Sequence, residues 1–174
     1  MATSGIVFWF TGLSGSGKTT IANALKERLT ALGRSALILD GDAVRNSTHR
    51  HLGFSREDIR ENNRLLAELA AKRANECDVV IVAIISPFRK DRKIARGIIG
   101  ERFREVFVNR PLGLCIARDE KGLYKKALAG AIKNFIGIDP TTPYEPPEAP
   151  DVELETDTET KEENVQKLLT FLGK

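Results

Sequence analysis

The sequence is poor in cysteine and contains no long hydrophobic run. Its two cysteines, Cys77 and Cys115, stand apart without CxxC spacing, so reduced thiols are favoured over a disulfide. No apolar stretch approaches the roughly 20 residues of a membrane-spanning helix. The start MATSGIVFWFTG also lacks the basic region and the apolar stretch of a secretory leader. These absences predict a cytoplasmic protein with no membrane partner.

The sequence also has no strong excess of charge of one sign. It contains 27 Lys and Arg against 24 Asp and Glu, and this mild basicity suits an anionic ligand rather than nucleic acid. Residues 89–104 are basic, but no aromatic residues alternate with the cations to stack bases, so we predict no nucleic-acid partner. With 41% hydrophobic and 29% charged residues, the composition predicts one globular domain over residues 1–174.

Short apolar runs rich in β-branched residues alternate with stretches of helical spacing. Strands are predicted at 6–10, 35–40, 79–85, 106–108 and 152–156, and helices at 18–32, 56–76, 89–100 and 161–172. Runs that are apolar throughout indicate strands covered on both faces, and helical crossovers indicate a parallel sheet. We predict a three-layer α/β fold with a mainly parallel sheet flanked by helices, and a loop at the proline-rich residues 139–150.

Residues 12–19, GLSGSGKT, match the phosphate-binding motif GxxxxGK[ST] in full. The motif follows an apolar run and opens a predicted helix, the arrangement in which backbone N–H groups surround phosphate. Lys18 is expected to reach the β- and γ-phosphate oxygens, and Thr19 to offer its hydroxyl to Mg²⁺. A strand-to-helix turn without a ligand is the alternative, but the full match predicts a P-loop NTPase fold that binds nucleotide phosphates together with Mg²⁺. The predicted nucleotide-binding residues are Gly12, Leu13, Ser14, Gly15, Ser16, Gly17, Lys18, Thr19 and Thr20.

Two acids, Asp40 and Asp42, follow the second predicted strand in the segment LILDGDAVR. The carboxyl ends of parallel strands meet at one edge of the sheet, so this segment and the phosphate-binding loop should face the same crevice. We assign Asp40, with Thr19, to the Mg²⁺ shell, and Asp42 to accept a proton from the attacking hydroxyl. An Asp-Gly turn that merely ends a strand is the alternative.

Other segments of the sequence favour one class of P-loop protein, a small kinase, over a GTPase. A GTPase would need an NKxD segment, which the sequence lacks, and the DxxG match at 119–122 lies too late in the chain. A small kinase needs cationic side chains on mobile segments that close over the transferring phosphate, and residues 88–96 and 118–126 supply them. Solvated surface remains the alternative for any one of these cations.

Beyond these motifs, the chain resembles the adenylylsulfate kinases, which phosphorylate the 3′-hydroxyl of adenylyl sulfate (APS) with MgATP. The resemblance is carried, in chain order, by FTGLSGSGKTT, LDGDAVR, LGFS followed by REN, ISPFRKDR, RDEKGLYKKA, IKNFIGI and PYEPP. It implies a P-loop kinase of sulfate assimilation that forms homodimers, with possible association with an ATP sulfurylase. The segment RDEKGLYKKA resembles the family's lid.

The same resemblance implies roles for individual side chains. Phenylalanines at the positions of Phe54 and Phe135 sandwich the acceptor adenine in this family, and Arg118 falls on the ATP side. Ser86 matches a serine known in the family as a phosphoserine site, but a positioned hydroxyl can attack ATP directly, so we favour a binding role. The implied acceptor-binding residues are Asp40, Asp42, Arg45, Phe54, Asn62, Ile85, Ser86, Lys121 and Phe135. The candidate catalytic residues are Lys18, Asp40, Asp42 and Ser86.

Three positions depart from the family pattern, all on the acceptor side. Ile59 and Leu65 stand where the family has arginines, and Ile136 replaces a threonine. We predict that APS remains the acceptor and that Arg60 or Arg64 compensates. A different nucleotide-like acceptor, or a non-catalytic nucleotide-binding module, is the alternative.

The H-x-H pair formed by His49 and His51 has no third metal ligand in the sequence. We interpret it as part of an exposed polar loop rather than as a metal site.

Overall fold

The computed structural model describes residues 5–173, so the first four residues, which belong to the segment tested for a leader, and Lys174 lie outside it. The described elements, in chain order, are β1 (Ile6–Thr11), α1 (Lys18–Ala31), β2 (Ala36–Asp40), α2 (Gly41–Ser47), α3 (Arg56–Arg73), β3 (Val79–Ala83), α4 (Arg89–Ile99), a 3₁₀ turn (Gly100–Arg102), β4 (Phe103–Asn109), α5 (Leu112–Arg118), α6 (Leu123–Leu128), β5 (Val152–Glu155) and α7 (Lys161–Leu172).

The five strands form one parallel sheet in the order β2-β3-β1-β4-β5. β1 lies at the centre, and its side chains alternate between two cores. Phe8 and Phe10 pack in the core that contains buried residues of α1 and α7. Val7 and Trp9 pack in the core that contains buried residues of α3 and α4. The predicted three-layer α/β arrangement is therefore confirmed.

Most elements begin within one residue of the predicted start, but β4 begins at Phe103, three residues before the strand predicted at 106–108, and ends at Asn109. The last helix has the predicted bounds, and its first turn is closed by a capping box between Thr160 and Glu163. The strand predicted at 79–85 is shorter, because β3 ends at Ala83, and the helix predicted at 56–76 ends at Arg73. Residues 139–150 contain no helix or strand, as their prolines indicate.

Three short helices, α2, α5 and α6, are absent from the sequence prediction. Each has only six or seven residues, too short for an apolar stripe to repeat, so periodicity does not reveal it. α2 depends instead on one side chain, because the Asp40 carboxylate caps it. The structure also contains, over residues 5–173, no helix long and apolar enough to span a membrane.

Candidate active site

A cavity of about 400 Å³ opens at the carboxyl edge of the sheet. Phe10 of β1 and Asp40 of β2 are both level with Ala83 of β3, so the loop after β1 and the start of α2 face the same space. Sixteen of the predicted site residues line it, namely Ser14, Gly15, Gly17, Lys18, Thr19, Thr20, Asp40, Asp42, Arg45, Phe54, Asn62, Ile85, Ser86, Arg118, Lys121 and Phe135. The lining formed by residues 5–173 does not include Gly12, Leu13 or Ser16.

The loop between β1 and α1 has the shape and the free donors that an anion needs. Gly17 adopts the left-handed conformation, with φ 104°, at the start of α1. A Cβ on Gly12 would lie 2.4 Å from the carbonyl oxygen of Val108, so both positions require glycine. Within the described chain, no side chain caps the first turn of α1 and no acid lies in it. The N–H groups and the positive end of the helix dipole are therefore available to phosphate.

The Lys18 side chain folds back onto this loop. Its Nζ donates hydrogen bonds to the carbonyl oxygens of Gly12 at 2.9 Å and Leu13 at 2.7 Å. Burial lowers the pKa of Lys18 to about 8, although the nearby Asp42 carboxylate acts in the opposite direction. The ammonium is thus held beside the loop in which a phosphate would sit.

Asp40, the first of the two acids, connects α2 to the phosphate-binding loop. Its Oδ1 accepts the backbone N–H of Asp42 at 3.0 Å and of Ala43 at 3.1 Å, which caps α2. Its Oδ2 accepts a hydrogen bond from the Thr19 hydroxyl at 3.2 Å. Two oxygen atoms of the kind that Mg²⁺ prefers therefore meet at the edge of the loop, and this donor set fits the ion.

Asp42, the second acid, pairs with the opposite wall of the cavity. Its carboxylate lies 2.8 Å from Nζ of Lys121, and both side chains are largely exposed to solvent. The hydrogen bond to Asp42 raises the pKa of Lys121. This ion pair joins the first turn of α2 to the segment 118–127, which resembles the family's lid.

Two phenylalanines that the resemblance assigns to acceptor binding, Phe54 and Phe135, line the cavity. Phe54 is 56% exposed, and the Arg45 guanidinium lies 4.5 Å above the centre of its ring. Phe135 meets the edge of the Tyr124 ring, with centroids 5.1 Å apart. Exposed or half-buried rings on a cavity wall offer flat surfaces on which a base can stack.

The exposed-loop interpretation of the H-x-H pair is wrong for one of its histidines. His51 is exposed, but His49 is buried, and its Nδ1 lies 2.8 Å from Oδ1 of Asn62. His49 therefore orients the amide of a residue that lines the cavity. The sequence gave no indication of this contact, because it depends on how α3, which carries Asn62, packs against the segment that contains His49. Residues 5–173 contain no group of three or more His, Cys, Asp or Glu side chains that could hold a metal.

Ser86 belongs to a buried hydrogen-bond chain beneath the cavity. Its hydroxyl accepts from the Trp9 indole at 3.1 Å and donates to Oδ1 of Asn63 at 2.6 Å. The Asn63 amide donates in turn to the carbonyl oxygen of Ile59 at 2.8 Å. The Ser86 side chain is nearly inaccessible, and its backbone φ is 46°. The hydroxyl is therefore bonded on both sides to the protein core.

The geometry of α3 contradicts the predicted compensation for the missing arginine. Ser55 caps this helix, and Ile59 lines the cavity. Arg60 is exposed and outside the lining, and Arg64 is held by Glu61 and Glu68 on the helix surface. Adjacent helical residues are turned by about 100° around the axis, so Arg60 points away from the surface that Ile59 gives to the cavity.

Other residues of the cavity were not predicted from the sequence. Asn63, Glu120 and Lys133 belong to the lining. Lys133 lies within the IKNFIGI segment, and its charge beside Phe135 could have indicated it. Asn63 could not have been found, because its importance rests on contacts with residues distant in the chain.

Comparisons with known proteins agree with the resemblance. The family model described as adenylylsulphate kinase matches residues 4–155. The adenylyl-sulfate kinase of Microcystis aeruginosa (strain NIES-843 / IAM M-2473) is 51% identical over 176 residues, which cover 99% of this chain and 96% of the relative.

Solved structures also match nearly the whole of this chain. The Mycobacterium tuberculosis APS kinase CysC in complex with AMPPNP and APS is 42% identical with a TM-score of 0.93, over 98% of this chain and 99% of that one. The hexameric APS kinase from Thiobacillus denitrificans is 30% identical with a TM-score of 0.72, and the match covers 99% of this chain but 29% of that longer one. Since the family model spans most of the sequence and the nearly full-length relative is about half identical, the chain belongs to the adenylylsulfate kinase family.

Proposed function

We propose that the chain is an adenylylsulfate kinase, acting as a single domain over residues 1–174, which transfers the γ-phosphate of ATP to the 3′-hydroxyl of adenylyl sulfate. One observation carries the proposal. The phosphate-binding loop, the two acids and the two phenylalanines line a single cavity. Direct transfer between two bound substrates requires both to be held in one space from which water is excluded.

On the ATP side, the first turn of α1 and the loop before it bind the phosphates through backbone N–H groups. Lys18 leaves the carbonyl oxygens of Gly12 and Leu13, to which it is bonded, and neutralises charge on the β- and γ-phosphates. Arg118 and Lys121, which line the same cavity, add positive charge from the lid segment. Positioned cations of this kind stabilise the charge that develops during phosphoryl transfer.

Thr19 and Asp40 would hold Mg²⁺, because their oxygen atoms already lie 3.2 Å apart beside the loop. When bound there, Mg²⁺ would supply positive charge that offsets the charge of the phosphates. The cap that Asp40 forms on α2 keeps its carboxylate in place, so the side chain supports both the helix and the ligand position.

On the acceptor side, Phe54 and Phe135 stack on the adenine of APS, and Asn62 and Ile85 line the same cavity. Arg45, which lies over the Phe54 ring, supplies positive charge near the acceptor's anionic groups. Asp42 accepts the proton of the attacking 3′-hydroxyl. Lys121 bonds only to Oδ2 of Asp42 within residues 5–173, so Oδ1 faces no competing partner.

The test is a coupled assay in which the purified protein receives MgATP and APS, and then MgATP with other nucleotides. Formation of 3′-phosphoadenylyl sulfate at a rate far above that with any other acceptor is the expected result. Because Ile59 leaves an apolar surface where the family has an arginine, a higher kcat/KM with another nucleotide would instead identify an altered acceptor. ATP binding without transfer to any acceptor would indicate a non-catalytic module.

A first prediction compares Arg45, which lines the cavity, with Arg60, which does not belong to the lining. Arg45→Ala is expected to raise the KM for APS by about ten- to a hundredfold, since a charge-assisted hydrogen bond contributes about 1.5–3 kcal/mol. Arg60→Ala is the matched control, and it should change the KM by no more than about twofold because the side chain lies outside the cavity. A tenfold effect of Arg60→Ala would restore the original prediction of compensation.

A second prediction concerns the Ser86 hydroxyl. Ser86→Ala should leave single-turnover transfer measurable and lower the free energy of unfolding by about 1–3 kcal/mol, because Trp9 and Asn63 lose a buried partner. The KM for APS should rise, since Asn63 supports the wall formed by α3. Ser86→Gly is the control for backbone strain at φ 46°. A folded variant that transfers no phosphate with APS saturating would favour a phosphoserine intermediate.

The homodimer stays a prediction, as does association with an ATP sulfurylase. Sedimentation equilibrium of the purified protein tests the first, and co-sedimentation with an ATP sulfurylase tests the second. The similar hexameric kinase makes higher assemblies the competing outcome. The cytoplasm remains the predicted location.

A further inference from the structure

Tyr124 touches both substrate-binding walls of the cavity. Its hydroxyl donates a hydrogen bond to the carbonyl oxygen of Ser14, in the phosphate-binding loop, at 2.7 Å. Its ring meets Phe135 in an edge-to-face contact, with centroids 5.1 Å apart and planes at 76°. Ser14 and Phe135 both line the cavity, so one side chain joins the loop proposed to bind ATP to the ring proposed to bind the acceptor.

The contacts of Tyr124 hold it in this position. Its side chain is 1% exposed, and the Asp119 carboxylate accepts the backbone N–H groups of Tyr124 at 3.0 Å and Lys125 at 2.9 Å. Burial raises the pKa of Tyr124, so the phenol remains a hydrogen-bond donor over the working pH range. A side chain fixed in this way transmits a displacement of one wall to the other instead of absorbing it.

A second contact joins the same two segments. A Cβ on Gly137 would lie 2.9 Å from Cδ2 of Leu13, so the Leu13 side chain packs closely on the backbone two residues after Phe135. The carbonyl oxygen of Leu13 also accepts a hydrogen bond from Lys18. When Lys18 turns to a phosphate, the Leu13 carbonyl loses that charged partner. Leu13 and Ser14 are also the residues that contact Gly137 and Tyr124, so the change occurs at the start of both contacts.

We propose that Tyr124 is a positioning residue that couples nucleotide binding in the phosphate-binding loop to the placement of Phe135 on the acceptor side. The inference rests on the proposed function, which supplies the two ligands. A bound nucleotide fixes the Ser14 carbonyl, the carbonyl orients the phenol, and the ring of Tyr124 sets the angle of Phe135. Acceptor binding is then tighter with nucleotide bound, and by linkage nucleotide binding is tighter with the acceptor bound.

The test is calorimetric titration of AMPPNP with Mg²⁺ and of APS, each alone and in the presence of the other. In the unmodified protein, AMPPNP should tighten APS binding by about 5- to 150-fold, the usual range of such coupling. Tyr124→Phe keeps the ring and removes the hydroxyl, so this factor should fall to within about twofold of one. The affinity for APS alone should stay within about twofold, because Phe135 is still supported.

The matched control uses the chain's other tyrosine. Tyr144 is also largely buried, and its hydroxyl lies 2.9 Å from that of Thr11, but it is not part of the cavity lining formed by residues 5–173. Tyr144→Phe should retain the full coupling factor. Phe135→Leu removes the ring that Tyr124 contacts. It should abolish the coupling and weaken APS binding, while the affinity for AMPPNP alone is unchanged.

A kinetic readout separates positioning from a merely structural role. With ATP saturating, Tyr124→Phe should raise the KM for APS by the lost coupling factor and leave kcat within about threefold. Full coupling in Tyr124→Phe, or none in the unmodified protein, would overturn the assignment of Tyr124 while leaving the proposed function intact. Failure of the unmodified protein to bind either ligand would overturn the proposed function, and the coupling with it.

Discussion

Asp42→Asn is expected to lower kcat for phosphoryl transfer by a factor of about 10² to 10⁴. Asparagine has the same shape but cannot accept a proton from the 3′-hydroxyl, and general-base catalysis contributes this much in other enzymes. The Asp40 cap of α2 uses the backbone N–H of residue 42, so the helix should survive the change. Single-turnover transfer with both substrates saturating measures the effect without interference from binding.

Glu120 provides the control for Asp42, because its carboxylate belongs to the same cavity but pairs with Arg118. Glu120→Gln makes the same chemical change on the opposite wall, and its loss of kcat should stay below about tenfold. If Asp42→Asn retained kcat within about threefold, the assignment of Asp42 as the base would be wrong. Equal losses in the two variants would indicate a general effect of charge in the cavity instead of proton transfer.

Lys18→Ala is expected to lower kcat/KM for ATP by a factor of about 10² or more. The variant removes the ammonium that compensates the β- and γ-phosphates in the transition state, and a single such donor commonly contributes 10²–10³. The effect should appear with APS saturating, and APS binding alone should be unchanged. Wild-type kcat/KM in Lys18→Ala would show that the loop and the lid cations suffice.

The pH dependence of nucleotide binding separates the charge of Lys18 from its volume. Burial lowers the pKa of Lys18 to about 8 in the ligand-free protein, and a bound phosphate favours the protonated form, so the pKa rises on binding. Titration of Lys18 should therefore leave the affinity for ATP unchanged below pH 8. Above pH 8 it should fall by up to tenfold per pH unit, with uptake of a proton. Lys18→Ala should lack this dependence, and a flat profile in the unmodified protein would contradict the assignment.

The sequence predicts those features of this molecule that depend on residues close together in the chain. The strands and long helices follow from apolar periodicity, and the P-loop follows from a local motif whose glycines and lysine act within eight residues. Asp40 and Asp42 were found because parallel strands bring their carboxyl ends together. Each of these inferences uses neighbours in sequence or a general rule of the fold.

The missed features depend on contacts between distant segments. His49 was read as exposed, yet it is buried because Asn62 of α3 lies against it. Ser86 was recognised, but its bonds to Trp9 and Asn63 depend on how three elements pack. Arg60 was expected to compensate for Ile59, and only the position of α3 in the fold shows that it points away from the cavity.

The position of β1 between β3 and β4 has a consequence for synthesis of the chain. β1 pairs with Val79–Ala83 on one side and with Phe103–Phe107 on the other, so both partners leave the ribosome roughly 70 or more residues after it. At about 5–20 residues per second, the apolar strand IVFWFT stays without a partner for several seconds. Until then it is an unpaired edge of the type that aggregates. The strand that carries the phosphate-binding loop is thus the one that a nascent chain must shield longest, a task that suits a chaperone.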